Sequence, residues 1–464
     1  MEQIDSTATG SGSLRDRTYA LLLRMKQRIW PPWAAKLPNY WPIAFAGLIL
    51  FLCALQLVVS NPPPLTLAAV KGDESAPLRQ DFKRYCEAKA LPCRIDEMDY
   101  DELRTQELAS LGSQDTPRYD ILMVDDPWLE VFRERRQMMY HFRVANSGDF
   151  QGATLKCARL GDGTYLGVPY VANTQVLAFV PDLVKGCCRQ DARDNVKLDT
   201  WDDVLDCAQR VKDRFPDSYG YVLRGAGRNP LVTDLLPILW AFDRGLSFDN
   251  VHLGDDADAA VWIMLRLAGV APDSYMGFGD FEVSASLATK RAAIGIVWSN
   301  AALLLRKANP RIEFRPVPTA DADGTDPKPE LGVWLLAIPK LAANRDDALA
   351  FIEKVTSTEG LARAFGEGNP PARASVFRDP SDDLFVLLQR SLSQAVPRLR
   401  SPRWDQIRTL LKERMTRFHL EWRDRSKGSK GIPSDALAKL RKAINEDLSS
   451  ATRPAQATAS AQRP

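Results

Sequence analysis

The chain has 464 residues, 45% of them hydrophobic, and a formal charge of +2. That is enough apolar side chain for a large core, and at roughly 150 residues per domain it suggests two or three domains. The near-balance of charge gives no support for nucleic-acid binding.

Residues 1–13 are rich in Ser, Thr and Gly and read as a disordered tail. Pro42 to Ser60, PIAFAGLILFLCALQLVVS, carries no ionisable side chain except Cys53. It has about the length of a membrane span, near 20 residues. Arg15, Arg17, Arg24, Lys26, Arg28 and Lys36 precede it, so the positive-inside rule places residues 1–41 in the cytoplasm and the main domain outside. The exit through Val59, Ser60 and Asn61 into Pro62, Pro63 and Pro64 is a poor signal-peptidase site. The expectation is an uncleaved, single-pass anchor over 42–60 in the inner membrane, with the domain that follows periplasmic or extracellular. Cys86, Cys93, Cys157, Cys187, Cys188 and Cys207 lie beyond the span, an even count that fits an oxidising compartment. Cys86 and Cys93 flank a helix end and the next strand and form the best single disulfide candidate.

After the span, Leu65 to Val70 reads as a strand, Pro77 to Lys89 as a helix, Cys93 to Met98 as a strand and Tyr100 to Leu111 as a helix. A third strand follows at 119–124. This alternation indicates βαβ units and a parallel sheet. The third strand ends in Asp125, Asp126, Pro127 and Trp128. Ligands of open α/β sheets bind beyond the carboxyl ends of the strands. Carboxylates accept hydrogen bonds from hydroxyls and an indole packs on C–H surface, so this segment suits a sugar. If the strand continues, its alternation turns one of the two aspartates toward a ligand and the other away. Leu166 to Phe179 reads as extended. Thr200 reads as the N-cap of a helix running through Val211, with Asp202 and Asp203 in its first turn. Ala285 to Lys290 and Arg345 to Thr356 read as helices, and Ala292 to Val297 and Leu331 to Pro339 as strands. Residues 449–464 read as a disordered tail. The three histidines are widely separated and no C-x-x-C occurs, so no metal site or cofactor is expected.

Further aromatic and polar residues sit at element edges: Tyr170 with Asn173, Trp240, Trp298 and Trp334. In this order, the chain resembles the family 1 extracellular solute-binding proteins, the maltose-binding-protein-like receptors of ABC importers. Tyr119 to Trp128 is similar to the family's acidic and aromatic segment of the first lobe. Gly167 to Asn173 is similar to its first hinge strand, and Thr200 to Leu205 to its TWdEl helix start. Lys290 to Trp298, Leu331 to Trp334 followed by Leu336 to Pro339, Ala348 to Ile352, Thr356 to Glu359 and Pro370 to Arg373 resemble later family segments. Gly332-Val-Trp334 departs from the family's double glycine, and Val184 to Leu198 is longer and richer in cysteine than the usual loop.

The resemblance implies an α/β, two-lobed periplasmic-binding-protein fold, type II-like, over residues 65–448. Its three hinge crossovers are expected near 168–173, 296–300 and 332–336. The first lobe would take about 65–168 and 298–333, the second about 173–296 and 336–448. It implies capture of a sugar or related polyol in an interlobe cleft, delivery to ABC permease subunits, and no catalysis. The ligand-binding candidates are Asp125, Asp126, Trp128, Tyr170, Asn173, Trp240, Trp298, Trp334 and Arg373. A membrane-tethered sensor of the same fold is a second reading, and an extracytoplasmic glycosidase with paired carboxylates a third.

Overall fold

The computed structural model describes residues 45–52, 63–112, 116–191, 194–226, 230–243, 252–322, 326–377, 381–398, 401–426 and 433–452. It divides into two compact units, 1–62 and 63–464. In the first, residues 45–52 are helical and exposed; the rest of the expected 42–60 span lies outside the described residues. Among the described residues, no helix is long and apolar enough to cross a membrane.

Among the described residues, the second unit holds nine strands: β1 (Leu65–Val70), β2 (Cys93–Met98), β3 (Ile121–Asp125), β4 (Val168–Phe179), β5 (Tyr219–Val222), β6 (Ala292–Trp298), β7 (Glu313–Arg315), β8 (Glu330–Ala337) and β9 (Val396–Pro397). Its helices begin with α1 (Ala76–Lys89), α2 (Tyr100–Gly112), α3 (Leu129–Glu134), α4 (Pro181–Val184), α5 (Trp201–Arg214), α6 (Pro230–Phe242) and α7 (Ala257–Gly269). They continue with α8 (Asp280–Ala288), α9 (Ser299–Ala308), α10 (Arg345–Val355), α11 (Thr358–Gly366), α12 (Asp383–Gln394), α13 (Trp404–Ser426) and α14 (Ser434–Thr452).

The strand order is β2-β1-β3-β8-β4-β6-β5, with β7 beside β4 and β9 beside β8. β1 pairs in parallel with β2 and β3, as the βαβ pattern predicts, and β5 pairs in parallel with β6. The long strand β4 is where the sheet divides. Val168 to Thr174 pair antiparallel with β8, whereas Gln175 to Phe179 pair with β6. Two hydrophobic cores result. The first gathers β1, β3, the start of β4, β8 and α10. The second gathers the end of β4, β6, α5 to α7, α13 and α14. We call the regions around them the first and second lobes.

The lobe boundaries differ from the expected ones. Residues beyond Trp298 were assigned to the first lobe, yet Ala302, Leu303 and Leu305 of α9 lie in the second core. The chain returns to the first lobe between β7 and β8, not at 296–300. Residues 332–336 are no crossover, because β8 and the segment through Val376 belong to the first core. The third crossing falls between Val376, in the first core, and Leu384, in the second; α12 then passes back, with Leu384 and Leu388 in the second core and Leu392 in the first, before Trp404 of α13 joins the second core again. The strand-end tryptophan at 298 looked like a crossing, but Ser299 starts a helix that folds back on its own lobe. At the C-terminus, α14 runs through Thr452, four residues into the segment read as tail, because Leu440, Ile444 and Leu448 are buried against the second core.

The helix start at Thr200 is as predicted. Asp203 N–H donates to Thr200 Oγ1 at 3.1 Å, and Thr200 N–H donates to Asp203 Oδ2 at 3.3 Å, a reciprocal cap. The Cys86–Cys93 disulfide is formed. A second disulfide, Cys188–Cys207, ties the inserted loop after α4 to α5; Cys157 and Cys187 are not in disulfides. Closing a loop of sequence separation 19 removes denatured-state entropy worth about 3 kcal/mol. The double variant Cys188→Ala/Cys207→Ala is therefore expected to lose about 3 kcal/mol in denaturant unfolding, and dithiothreitol is expected to cost it less stability than it costs the parent chain.

Candidate functional site

A cavity of about 550 Å³ opens between the lobes, within the range of ligand pockets. Its first-lobe wall is the segment after β1, from Val70 to Glu74, together with Asp99, Tyr100 and Trp334. Val70 to Glu74, Asp99 and Tyr100 lie at the carboxyl ends of β1 and β2, where open α/β sheets take ligands, and Trp334 lies on β8. Gly72 turns the chain out of β1 with a φ of 136°, a conformation that favours glycine. The second-lobe wall is one face of α8, including Asp280, Phe281 and Ala285, and one face of α9, including Asn300, Ala301 and Leu304.

Of the nine candidate residues, this lining includes Trp334 and not the other eight. Five of those eight hold it from behind. Trp128, 1% exposed, was expected to stack on a ligand but lies in the first core. Its ring stands edge-on to Trp334 at 5.7 Å and tilted against Tyr100 at 4.6 Å. Asp125 was expected to accept ligand hydroxyls; it accepts instead from the Tyr100 hydroxyl at 2.5 Å and from both terminal nitrogens of Arg398, at 2.6 and 3.0 Å. Asp126 accepts from Arg398 as well, and from the Val333 amide beside Trp334 at 2.9 Å. Both carboxylates therefore face one cation, because β3 gives way to a turn at Asp126 and its alternation ends there.

Asn173 Oδ1 accepts from Ser299 Oγ at 2.9 Å and from the Asn300 amide at 3.1 Å, fixing the start of α9 against β4. Trp298 packs in the space left by Gly332, where an added Cβ would meet its ring at 3.2 Å. The Arg224 guanidinium stands 5.5 Å from the Trp298 ring, and Arg224 donates to Asp280 in the cavity wall at 2.9 Å. The remaining three are outside the cavity lining. Tyr170 lies in the first core and Trp240 in the second. Arg373 donates to the Thr356 carbonyl at 2.8 Å and lies 4.1 Å over the Phe150 ring, so it fastens loops of the first lobe.

Sequence reasoning missed Glu74, Tyr100, Asp280 and Asn300. The strand-end rule that singled out Asp125 applies equally to the residues after β1, and the Gly72-Asp73-Glu74 turn was the available signal. Asn300 is buried, and among the described residues its Oδ1 has no hydrogen-bond partner.

The buried charges set the electrostatics. Arg398 meets Asp125, Asp126 and, at 3.4 Å, Glu330. Burial acts to lower the Arg398 pKa, but Asp125 and Asp126 outweigh it and hold the guanidinium well above its usual range. One cation does not balance three buried carboxylates. Burial pushes Glu330 well above the usual carboxylate range, against the pull of Arg398. Burial lifts Asp126 to about 6, against the pull of Arg398. Burial, then the Asp280 carboxylate, lifts Glu74 to about 7.

The chain matches the sequence profile of the bacterial extracellular solute-binding proteins over residues 71–362. It belongs to that family. Its fold is similar to that of the maltose-bound MalE3 of Thermotoga maritima, with a TM-score of 0.67 at 20% identity, covering 82% of this chain and 98% of that one. It is similar to a solute-binding protein from Agrobacterium radiobacter in complex with ribitol, with a TM-score of 0.65 at 18% identity, over 83% and 99%. It is also similar to the GacH receptor of Streptomyces glaucescens, with a TM-score of 0.65 at 14% identity, over 83% and 99%. No curated protein sequence matches the chain. The fold is thus that of the α/β substrate-binding proteins, and the family and these neighbours are binding proteins rather than enzymes.

A raised acid pKa stabilises the fold where the group is protonated. Asp126, lifted from 3.8 to about 6, contributes stability that is full below about pH 4 and lost as pH rises through about 6. Asp126→Asn removes this titration. The melting temperature of the parent chain minus that of the variant is expected to fall between about pH 4 and pH 7; a flat difference contradicts the assignment.

Proposed function

We propose that this protein captures a sugar or related polyol in the cavity between its lobes and presents it to the permease of an ABC importer from outside the cytoplasm. The observation that carries the reading is the cavity itself: an aromatic and polar first-lobe wall facing a second-lobe wall that is apolar apart from Asp280, Ser284 and Asn300, in a chain of the extracellular solute-binding family. The Trp334 indole supplies a flat face for C–H surface, and Asn300, Glu74 and Asp280 supply acceptors for hydroxyls. The solved relatives support the ligand class, since their complexes hold maltose, ribitol, tagatose and mannitol. A membrane anchor over 42–60 would keep the receptor beside its permease. Lobe closure about β4, β8 and α12 would bury the ligand.

One observation favours glycoside hydrolysis as a second reading: Glu74 and Asp280 bring carboxyl groups to opposite walls, one of them with a raised pKa. Arg224 occupies one oxygen of Asp280, and the family binds rather than cleaves, so binding is the better-supported function.

Thermal-shift measurements on the full-length chain with maltose, mannitol, ribitol and other sugars and polyols test this, because a ligand that binds the folded state raises the melting temperature. At least one is expected to raise it, with no release of product. Trp334→Ala is expected to weaken that ligand about tenfold through loss of the ring face, while Trp240→Phe, outside the cavity lining, leaves affinity unchanged. No shift with any of them, alongside turnover of a glycoside, overturns the proposal.

A further inference from the structure

Resting on the proposed sugar-binding role of the cavity, we infer that its preferred ligand carries a protonated amine: an amino sugar or an aminated polyol.

The cavity wall is acidic. Asp73, Glu74, Asp99 and Asp280 line it, against one ammonium group, Lys71. Lys71 is paired with Asp99 at 3.3 Å, at the exposed rim. The acids come from both walls: Glu74 follows β1 in the first lobe, and Asp280 opens α8 in the second. Closing the cleft on a neutral ligand brings Glu74, which burial and Asp280 already lift to about 7, toward an Asp280 carboxylate that Arg224 pairs at one oxygen, so Glu74 takes up a proton where a ligand cation would otherwise stand. A ligand ammonium between them turns the same geometry into two charge-assisted hydrogen bonds. Arg224 does not supply that cation. Its guanidinium is buried and already donates to Asp234 at 2.8 Å as well as to Asp280.

A second, independent feature points to a donor-rich ligand. Asn300 lines the same cavity and is 94% buried, its backbone fixed by Asn173. Its side-chain Oδ1 is shielded from solvent and has no hydrogen-bond partner among the described residues. A buried acceptor without a donor costs stability, and a ligand hydroxyl or ammonium at this position satisfies it. The acceptors Asn300, Glu74 and Asp280 thus converge on a cavity whose remaining second-lobe surface is apolar apart from Ser284 and includes Phe281, Ala285 and Leu304. Phe281 is 79% exposed on α8, placed to cover the apolar face of a ring as the cleft closes. A bare amine or metal ion has no use for that surface. A fully hydroxylated neutral sugar donates hydroxyls to the carboxyls but leaves their charge uncompensated. An aminated sugar uses both.

Isothermal titration of the full-length chain at neutral pH tests this with three matched pairs: glucose and glucosamine, glucitol and 1-amino-1-deoxyglucitol, and cellobiose and the chitosan dimer. At least one aminated member is expected to bind about tenfold or more tighter than its neutral partner, the effect of one charge-assisted hydrogen bond. The ratio within that pair is expected to fall toward one in Glu74→Gln. Because both affinities are read in the same variant, a general loss of binding cancels. Circular dichroism of the unliganded variant establishes that it folds, and Asp280→Asn gives the same readout from the other wall. Neutral members that bind as well as or better than their partners overturn the inference and leave the sugar-binding reading standing. So does an amine preference unchanged in both variants. If neither member of any pair binds, the inference is overturned, and the thermal-shift panel then decides the broader reading separately.

Discussion

The Arg398 guanidinium is the point on which the two lobes and their shared wall depend. It reaches Asp125 and Asp126 at the end of β3 and Glu330 at the start of β8, all buried. Removing one partner from such a cluster leaves charge stranded in low dielectric, a cost of about 3–5 kcal/mol. The cluster also stands where the chain changes lobes. Gln175, the first β4 residue paired with the second-lobe sheet, donates to Glu330 Oε2 at 3.4 Å and accepts from the Glu330 amide at 3.3 Å. Arg398 itself follows β9, the short strand that brings the chain back against β8 after α12.

From that cluster the cavity wall is assembled outward in layers. Asp125 fixes the Tyr100 hydroxyl, Tyr100 and Trp128 support Trp334, and Asp126 holds the backbone beside it. On the other wall, Trp298 carries Arg224, which orients Asp280, and Asn173 fixes the backbone of Asn300. Ion pairs between α2 and α13, Asp101 with Arg408 and Arg104 with Asp405, join the lobes beside the same wall. A side chain held in this way loses little rotamer freedom when a ligand arrives, which is how such sites avoid the ordering cost of binding.

The secondary structure of the first lobe was legible in the sequence because its signals are local. The run Leu65 to Val70, the Thr200 cap and the alternation of β1, α1, β2 and α2 do not depend on distant partners. The site was legible to within one layer. Asp125, Trp128, Asn173 and Trp298 stand out as polar or aromatic residues at strand ends, and they contact residues of the cavity lining or its supports; what the sequence does not show is what each of them touches. Arg398 lies 272 residues from Asp126, and no local pattern links the two. The lobe boundaries failed for a related reason. Whether the chain after Trp298 crosses or folds back is decided by the packing of Ala302, Leu303 and Leu305 into the second core, an outcome shared by many amphipathic helices.

A crystal structure of the chain with a bound sugar tests the layered account most directly. The account predicts ligand against Trp334, with Asn300 Oδ1 accepting a ligand hydrogen bond and Arg398 still bridging Asp125 and Asp126. Ligand hydroxyls on Asp125 or Asp126, with Arg398 displaced, contradict it.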